Sequence, residues 1–127
     1  MTGSAPALSS LRVRRDYLAA AKAKEADKQV RRGLVLQARM RHADEPAETP
    51  IRFGLTASKK TGNAVTRNRI RRRLRALALS VLPQYGRKGY DYVMIGRIHT
   101  PQRSWSALQK DLSSALKAIH TDKSEKE

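Results

Sequence analysis

Cysteine is absent from the 127 residues, which excludes disulfides and thiolate metal sites and fits a cytoplasmic protein. Negative charge is scarce: 11 Asp and Glu face 27 Lys and Arg, giving a net charge of +16 and a pI near 11.1. No run approaches the roughly 18 apolar residues of a membrane span. The opening stretch MTGSAPALSSLRVRRDY holds no apolar segment of signal-peptide length before its charges begin, so no secretion signal is expected. Catalytic groupings are missing too. His42, His99 and His120 stand singly, without ligand spacing, so solvated or satisfied histidines are the expectation and no metal is assigned to the protein. The carboxylates are scattered, several of them between Asp44 and Glu48 and in the C-terminal tail, and Asp91 is alone in its segment. No pair suits two-metal phosphodiester cleavage. Neither a nucleophile elbow nor a phosphate-binding glycine loop is present. The chain reads as a binder, and its charge points to nucleic acid.

What is present concentrates in Ser58–Arg75, SKKTGNAVTRNRIRRRLR, where 18 residues hold eight Lys or Arg and no Asp or Glu. Asn63 suits a helix N-cap, its side-chain oxygen taking a free N–H of the first turn. Beyond it Ile70, Leu74, Leu77 and Val81 recur on one narrow helical stripe. Arg67, Arg71 and Arg75 flank that stripe on one side and Arg69 and Arg73 on the other, while Asn68 and Arg72 point away. Guanidinium groups this dense repel one another unless an anion neutralises them. A polyphosphate fits, because Arg presents a planar fork to phosphate oxygens. A membrane surface would want a wider apolar face than this stripe offers.

The remainder predicts one modest domain. Residues 1–9 are expected to be disordered, residues 10–120 to form the RNA-binding domain, and residues 121–127 to fray. Ser10 can open a helix running through Tyr17 and Ala21. Gly33–Met40 alternates as a strand, with Leu34, Leu36, Ala38 and Met40 on one face and Val35, Gln37 and Arg39 on the other. His42–Pro50 is a polar connection between two antiparallel strands. In the second strand Ile51, Phe53, Leu55 and Ala57 face inward, and Arg52, Gly54, Thr56 and Ser58 outward. Pro83 should end the basic helix near Leu82. Tyr90–Ile98 is a third strand. Ser104 caps a last helix whose stripe is Trp105, Leu108, Leu112, Leu116 and Ile119, with Trp105 expected as a core anchor rather than a base-stacking residue. The fold class is α+β: a small mixed, mainly antiparallel sheet packed with three helices in a single-domain two-layer sandwich.

Gly54-Leu55-Thr56-Ala57-Ser58-Lys59-Lys60, then Gly62-Asn63-Ala64-Val65 and Arg67-Asn68-Arg69, resemble the signature of the protein subunit of bacterial ribonuclease P. The resemblance is specific over about twenty residues and extends loosely from Leu11 to Ile119. It implies a ribonucleoprotein that removes the 5′ leader of precursor tRNA, with the chemistry done by the RNA subunit and its Mg2+ ions. It implies that Lys59, Lys60, Arg67, Asn68, Arg69, Arg71, Arg72 and Arg75 contact the catalytic RNA. It further implies a central cleft for the single-stranded leader, at Tyr17, Ala21, Val35, Gln37 and Thr56, in a protein that is monomeric within the assembly. On the residues alone, Tyr17 is also readable as a partly buried core tyrosine. Ala21 stands where the family often has a second aromatic, and an aromatic common near Gln37 is missing. By analogy a short extra strand is expected near Gln29–Arg31. A structural RNA-binding protein of ribosomal type is the rival reading, and a self-contained nuclease the other.

Overall fold

The computed structural model describes residues 8–10, 27–40 and 51–125. Five strands form one sheet: β1 (Leu8–Ser10), β2 (Lys28–Val30), β3 (Leu34–Met40), β4 (Ile51–Thr56) and β5 (Tyr90–Gly96). Two long helices complete the described fold, α1 (Ala64–Tyr85) and α2 (Trp105–Glu125). The helix expected from Ser10 onward falls mostly on residues outside the described set. Ser10 itself lies in β1, which pairs with β4 where an unstructured terminus was expected.

The strand order is β1-β4-β5-β3-β2. β5, last in sequence, therefore sits in the middle. β3 and β4 run in opposite directions, as their alternation suggested, but they flank β5 instead of pairing with each other. The β4–β5 and β1–β4 pairs are parallel, and the β2–β3 and β3–β5 pairs antiparallel. The sheet is thus evenly mixed, and for the β4–β5 pair α1 is the reason. A parallel neighbour needs a crossover connection, and the helix between β4 and β5 supplies it.

Both helices pack on one face of the sheet. Leu34, Leu36, Ala38, Ile51, Phe53, Tyr92 and Met94 meet Ile70, Leu74, Leu77, Val81 and Leu82 of α1 and Leu108, Leu112, Leu116 and Ile119 of α2 in one core. Four seam side chains of α1, each worth about 1.5–3 kcal/mol when fully buried, outweigh the helix's own charge repulsion. Its five Arg–Arg pairs at i,i+3 or i,i+4 cost about 0.2–0.5 kcal/mol each. The seam wins by several-fold, so the helix forms with its cations outward.

Two ends differ from expectation. α1 continues past Pro83 to Tyr85, and the Gly86 N–H closes it on Leu82 O at 2.7 Å. Proline removes one N–H, whose acceptor would be the Leu79 carbonyl; Leu79 is exposed, so water can serve that group, and the last turn survives. Trp105, expected in the core, opens α2 and remains 38% exposed. The burial of that helix starts at Leu108.

Where β5 ends, the absence of a side chain lets α1 approach. A Cβ on Gly96 would collide with Ile70 Cγ2. Gly96→Ala should therefore destabilise the protein by about 1–3 kcal/mol in urea melts, and trimming Ile70 to Val in the same chain should recover part of the loss.

Candidate nucleic-acid interface

The turn that joins sheet to helix has no tolerance for side chains. Lys59–Thr61 form a short 3-10 turn closed by Thr61 N–H to Ser58 O at 3.0 Å. Gly62 then takes φ 147°, where a Cβ would meet the Thr66 side chain; a region this strained for other residues is essentially glycine's alone. Asn63 caps α1 as its sequence position suggested, Oδ1 accepting from Thr66 N–H at 2.9 Å. Lys59 and Lys60 are exposed beside this helix end, and its first turn carries no acidic residue. The positive end of the helix dipole adds to their charge.

Along α1 the guanidinium groups fall into three kinds. Arg69, Arg71, Arg72 and Arg75 are exposed. Arg71 donates to Asn68 Oδ1 at 3.2 Å, and Arg75 lies over the Phe53 ring at 5.9 Å, a cation–π contact that steadies the stem without consuming the charge. Arg67 is half-buried, and its buried Nε has no hydrogen-bond partner. Arg73 is different: Nη1 donates to Thr100 O and Pro101 O at 2.6 and 2.9 Å, and Nη2 to Arg103 O at 2.7 Å. Burial, and then the neighbouring Arg69 charge, lower its pKa from the usual arginine value. Arg73 belongs to the structure, and the sequence run Arg71-Arg72-Arg73 conceals this.

None of Arg67, Arg69, Arg71, Arg72 and Arg75 makes an ion pair among the described residues. Among the described residues, Asp91 and Asp111 are engaged elsewhere. Asp111 takes Arg103 and the Gly33 N–H, and this pairing raises the Arg103 pKa. A shallow hollow of about 490 Å3 opens on the helix's outer face between Val65, Asn68, Arg71 and Arg72. All eight residues assigned to RNA contact by sequence lie on one stretch, Lys59 to Arg75, with no carboxylate paired to them among the described residues.

The sheet face opposite the helices is built from cross-strand rows. Val35, Ile95 and Thr56 are lateral neighbours, followed by Gln37, Val93 and Gly54, and then by Arg39, Asp91 and Arg52. Laterally paired residues share a face, so Val35, Gln37 and Thr56 do come together, within two rows and all half-buried. Tyr17 and Ala21 lie outside the described residues. The third row was missed by sequence reading, which left Asp91 alone. Its fully buried carboxylate receives Arg52 through two bonds, at 2.8 and 2.6 Å, and Arg39 at 3.4 Å. The alternation of Arg39 and Arg52 onto the outward face was the available signal; the central place of β5 was not. His120, buried, meets the Tyr92 hydroxyl at 2.7 Å. Among the described residues no three His, Asp or Glu side chains converge as a metal site, and no helix is long and apolar enough to cross a membrane.

A family model for ribonuclease P matches residues 6–120. The chain belongs to the ribonuclease P protein family. It is 50% identical over 117 residues to the ribonuclease P protein component of Ruegeria pomeroyi, covering 91% of this chain and 90% of the relative. To the ribonuclease P protein component of Caulobacter vibrioides it is 44% identical over 112 residues, covering 88% of this chain and 71% of that one. Among solved structures, the ribonuclease P protein of Thermotoga maritima superposes with a TM-score of 0.64 at 26% identity, over 85% of this chain and 94% of that one. The short strand expected from the family resemblance is β2.

Because Asp91 anchors two arginines from neighbouring strands, Asp91→Ala should cost about 3 kcal/mol in chemical denaturation. A loss below about 1 kcal/mol would mean that the third row contributes little to the sheet.

Proposed function

We propose that this chain is the protein subunit of a cytoplasmic ribonuclease P, monomeric within the ribonucleoprotein, and that it supports removal of the 5′ leader from precursor tRNA. The observation that carries the proposal is the α1 surface: guanidinium groups without carboxylate partners among the described residues, held outward by a buried seam, in a member of this family. Lys59, Lys60, Arg67, Asn68, Arg69, Arg71, Arg72 and Arg75 neutralise phosphates of the folded RNA subunit. That subunit performs the phosphodiester chemistry with Mg2+.

The sheet face opposite the helices supports the second half of the reading. Val35, Gln37 and Thr56, joined by Tyr17 and Ala21, form the cleft that grips the single-stranded leader. Half-buried polar and aliphatic side chains with few aromatics favour polar and backbone contacts over stacking, which elsewhere is worth about 1–3 kcal/mol per base. A cleaved tRNA has lost the leader and gains nothing from the cleft. Substrate is therefore bound more tightly than product, which helps turnover. The two surfaces divide the labour, since α1 lies on the other side of the sheet from Val35, Gln37 and Thr56.

Three outcomes follow for the purified protein. Added to a ribonuclease P RNA, it should permit cleavage of precursor tRNA at a low Mg2+ concentration where the RNA alone is nearly inactive; no gain in cleavage would favour a structural RNA-binding role. With roughly four phosphates contacted, log K for the RNA should fall against log salt with a slope between about −3 and −4, and a flat dependence would count against the arginine surface. Arg67→Ala with Arg69→Ala should weaken assembly with the RNA, whereas Tyr17→Ala should mainly reduce the preference for leader-bearing over leaderless tRNA. Equal effects of both changes in both assays would contradict the division.

A further inference from the structure

Arginines crowd a second place in the molecule, apart from the outer face of α1. Arg31 and Arg32 lie on the turn between β2 and β3, and Arg97 and Arg103 on the loop between β5 and α2. Arg73 reaches that loop from α1. Three of the five hold backbone in place. Arg73 grips the carbonyls of Thr100, Pro101 and Arg103. Arg97 donates to Arg31 O at 2.6 Å, and Arg31 to Val30 O at 3.0 Å and Ser114 Oγ at 2.9 Å. The Thr100 hydroxyl ties the loop to Gly33 O at 2.7 Å. A carbonyl satisfies a donor without cancelling its charge. Among the described residues, Asp111 is the one carboxylate paired with any of these arginines, and its partner is Arg103.

A hollow of about 310 Å3 opens here, lined by Arg32, Ile98, His99, Gln102, Arg103 and Ser104 among others. The donors around it are uncommitted. Arg32 is exposed, and its side chain makes no hydrogen bond or ion pair among the described residues. The side chains of His99 and Gln102 make none there either. Asp111 takes Nε and Nη2 of Arg103, which leaves Nη1 without a partner among the described residues. Four nitrogen-bearing side chains thus ring a hollow whose backbone is already fixed. That set suits a phosphate, whose oxygens match guanidinium forks and accept from amide and imidazole N–H groups. Walls held in advance lower the ordering cost of binding.

We propose that this hollow seats a backbone phosphate of the ribonuclease P RNA, with Arg32 and Arg103 as the cations that hold it. This rests on the reading that α1 docks on that RNA. Arg103, which lines the hollow, gives its carbonyl to Arg73 of α1 at 2.7 Å, so the hollow is fixed beside the docking helix. Val35, Gln37 and Thr56, the residues of the leader cleft, lie on the sheet face opposite the helices. Ser104 and Ala107 instead place the hollow at the head of α2. The RNA subunit, rather than the leader, is therefore the occupant.

Because the Arg32 side chain bonds to nothing in the fold, its replacement leaves the structure intact. Lys88, exposed on the loop before β5, gives the comparison for simple loss of a charge. Kd for ribonuclease P RNA is measured against salt for the full-length wild type, Arg32→Ala, Arg32→Lys, Gln102→Ala and Lys88→Ala. Arg32→Ala should weaken binding about tenfold near ~0.1 M salt and flatten the slope of log K against log salt by about one. Arg32→Lys should keep most of the affinity, Gln102→Ala should lose about threefold, and Lys88→Ala less than about twofold. Ethylation of RNA phosphates should reveal a position whose modification weakens the wild type but not Arg32→Ala. If Arg32→Ala matches Lys88→Ala while the wild type binds, or if the two interference patterns are identical, the phosphate seat is overturned and the function stands. A loss confined to precursor tRNA binding by the assembled holoenzyme would overturn the assignment to the RNA subunit. A wild type that does not bind the RNA would overturn the function proposed above and this site with it.

Discussion

A helix crowded with arginines can exist in this protein because its opposite edge is fully dry. Ile70, Leu74 and Leu77 have no exposed surface and Val81 only 4%. Their burial against β4, β5 and α2 fixes the rotation of α1 about its axis. That rotation decides which guanidinium groups reach solvent and which, like Arg73, are turned into the fold. Each arginine therefore has a role set by its angle from the seam. Charge density alone would not have distinguished them.

The rest of the architecture serves this placement. β4 leads through the Lys59–Thr61 turn into α1, and the glycine at position 62 permits the bend. The helix crosses over to β5, which is inserted between β3 and β4 and so becomes the buried middle of the sheet. Its two faces then do different things. Tyr90, Tyr92 and Met94 complete the core under the helices. Val93, Ile95 and Asp91 organise the far face, where Asp91 draws Arg39 and Arg52 inward. One negative group between two positive ones is an economical arrangement in a chain with so few carboxylates. It keeps those two cations in place while the α1 surface keeps its charge for a partner.

Much of this was legible in the residues. The α1 seam, its Asn63 cap and the alternation of β3 and β4 follow from spacing and side-chain chemistry, and each is present in the structure. Four features were not legible, each for a physical reason. Strand order depends on how a crossover helix packs, and no local pattern in Tyr90–Gly96 announces that it will lie between β3 and β4. Pro83 reads as a helix end because it lacks an N–H, yet a proline in the last turn, four residues after the exposed Leu79, costs little. Trp105 shares the stripe of α2, but a helix's first residue can project past the edge of the core it points toward. The pairing of Asp91 with Arg39 and Arg52 joins residues 39 and 52 positions apart, beyond the reach of any periodicity.

The account stands or falls on whether the outward arginines of α1 are the surface covered by RNA. Arginine modification by a dicarbonyl reagent, mapped by mass spectrometry with and without ribonuclease P RNA, measures this residue by residue. Arg69, Arg71, Arg72 and Arg75 should react in the free protein and be protected in the complex, while Arg73, held by three carbonyls, should react slowly in both. If the α1 arginines stay equally reactive when the RNA is bound, the docking surface is elsewhere and the central claim is wrong.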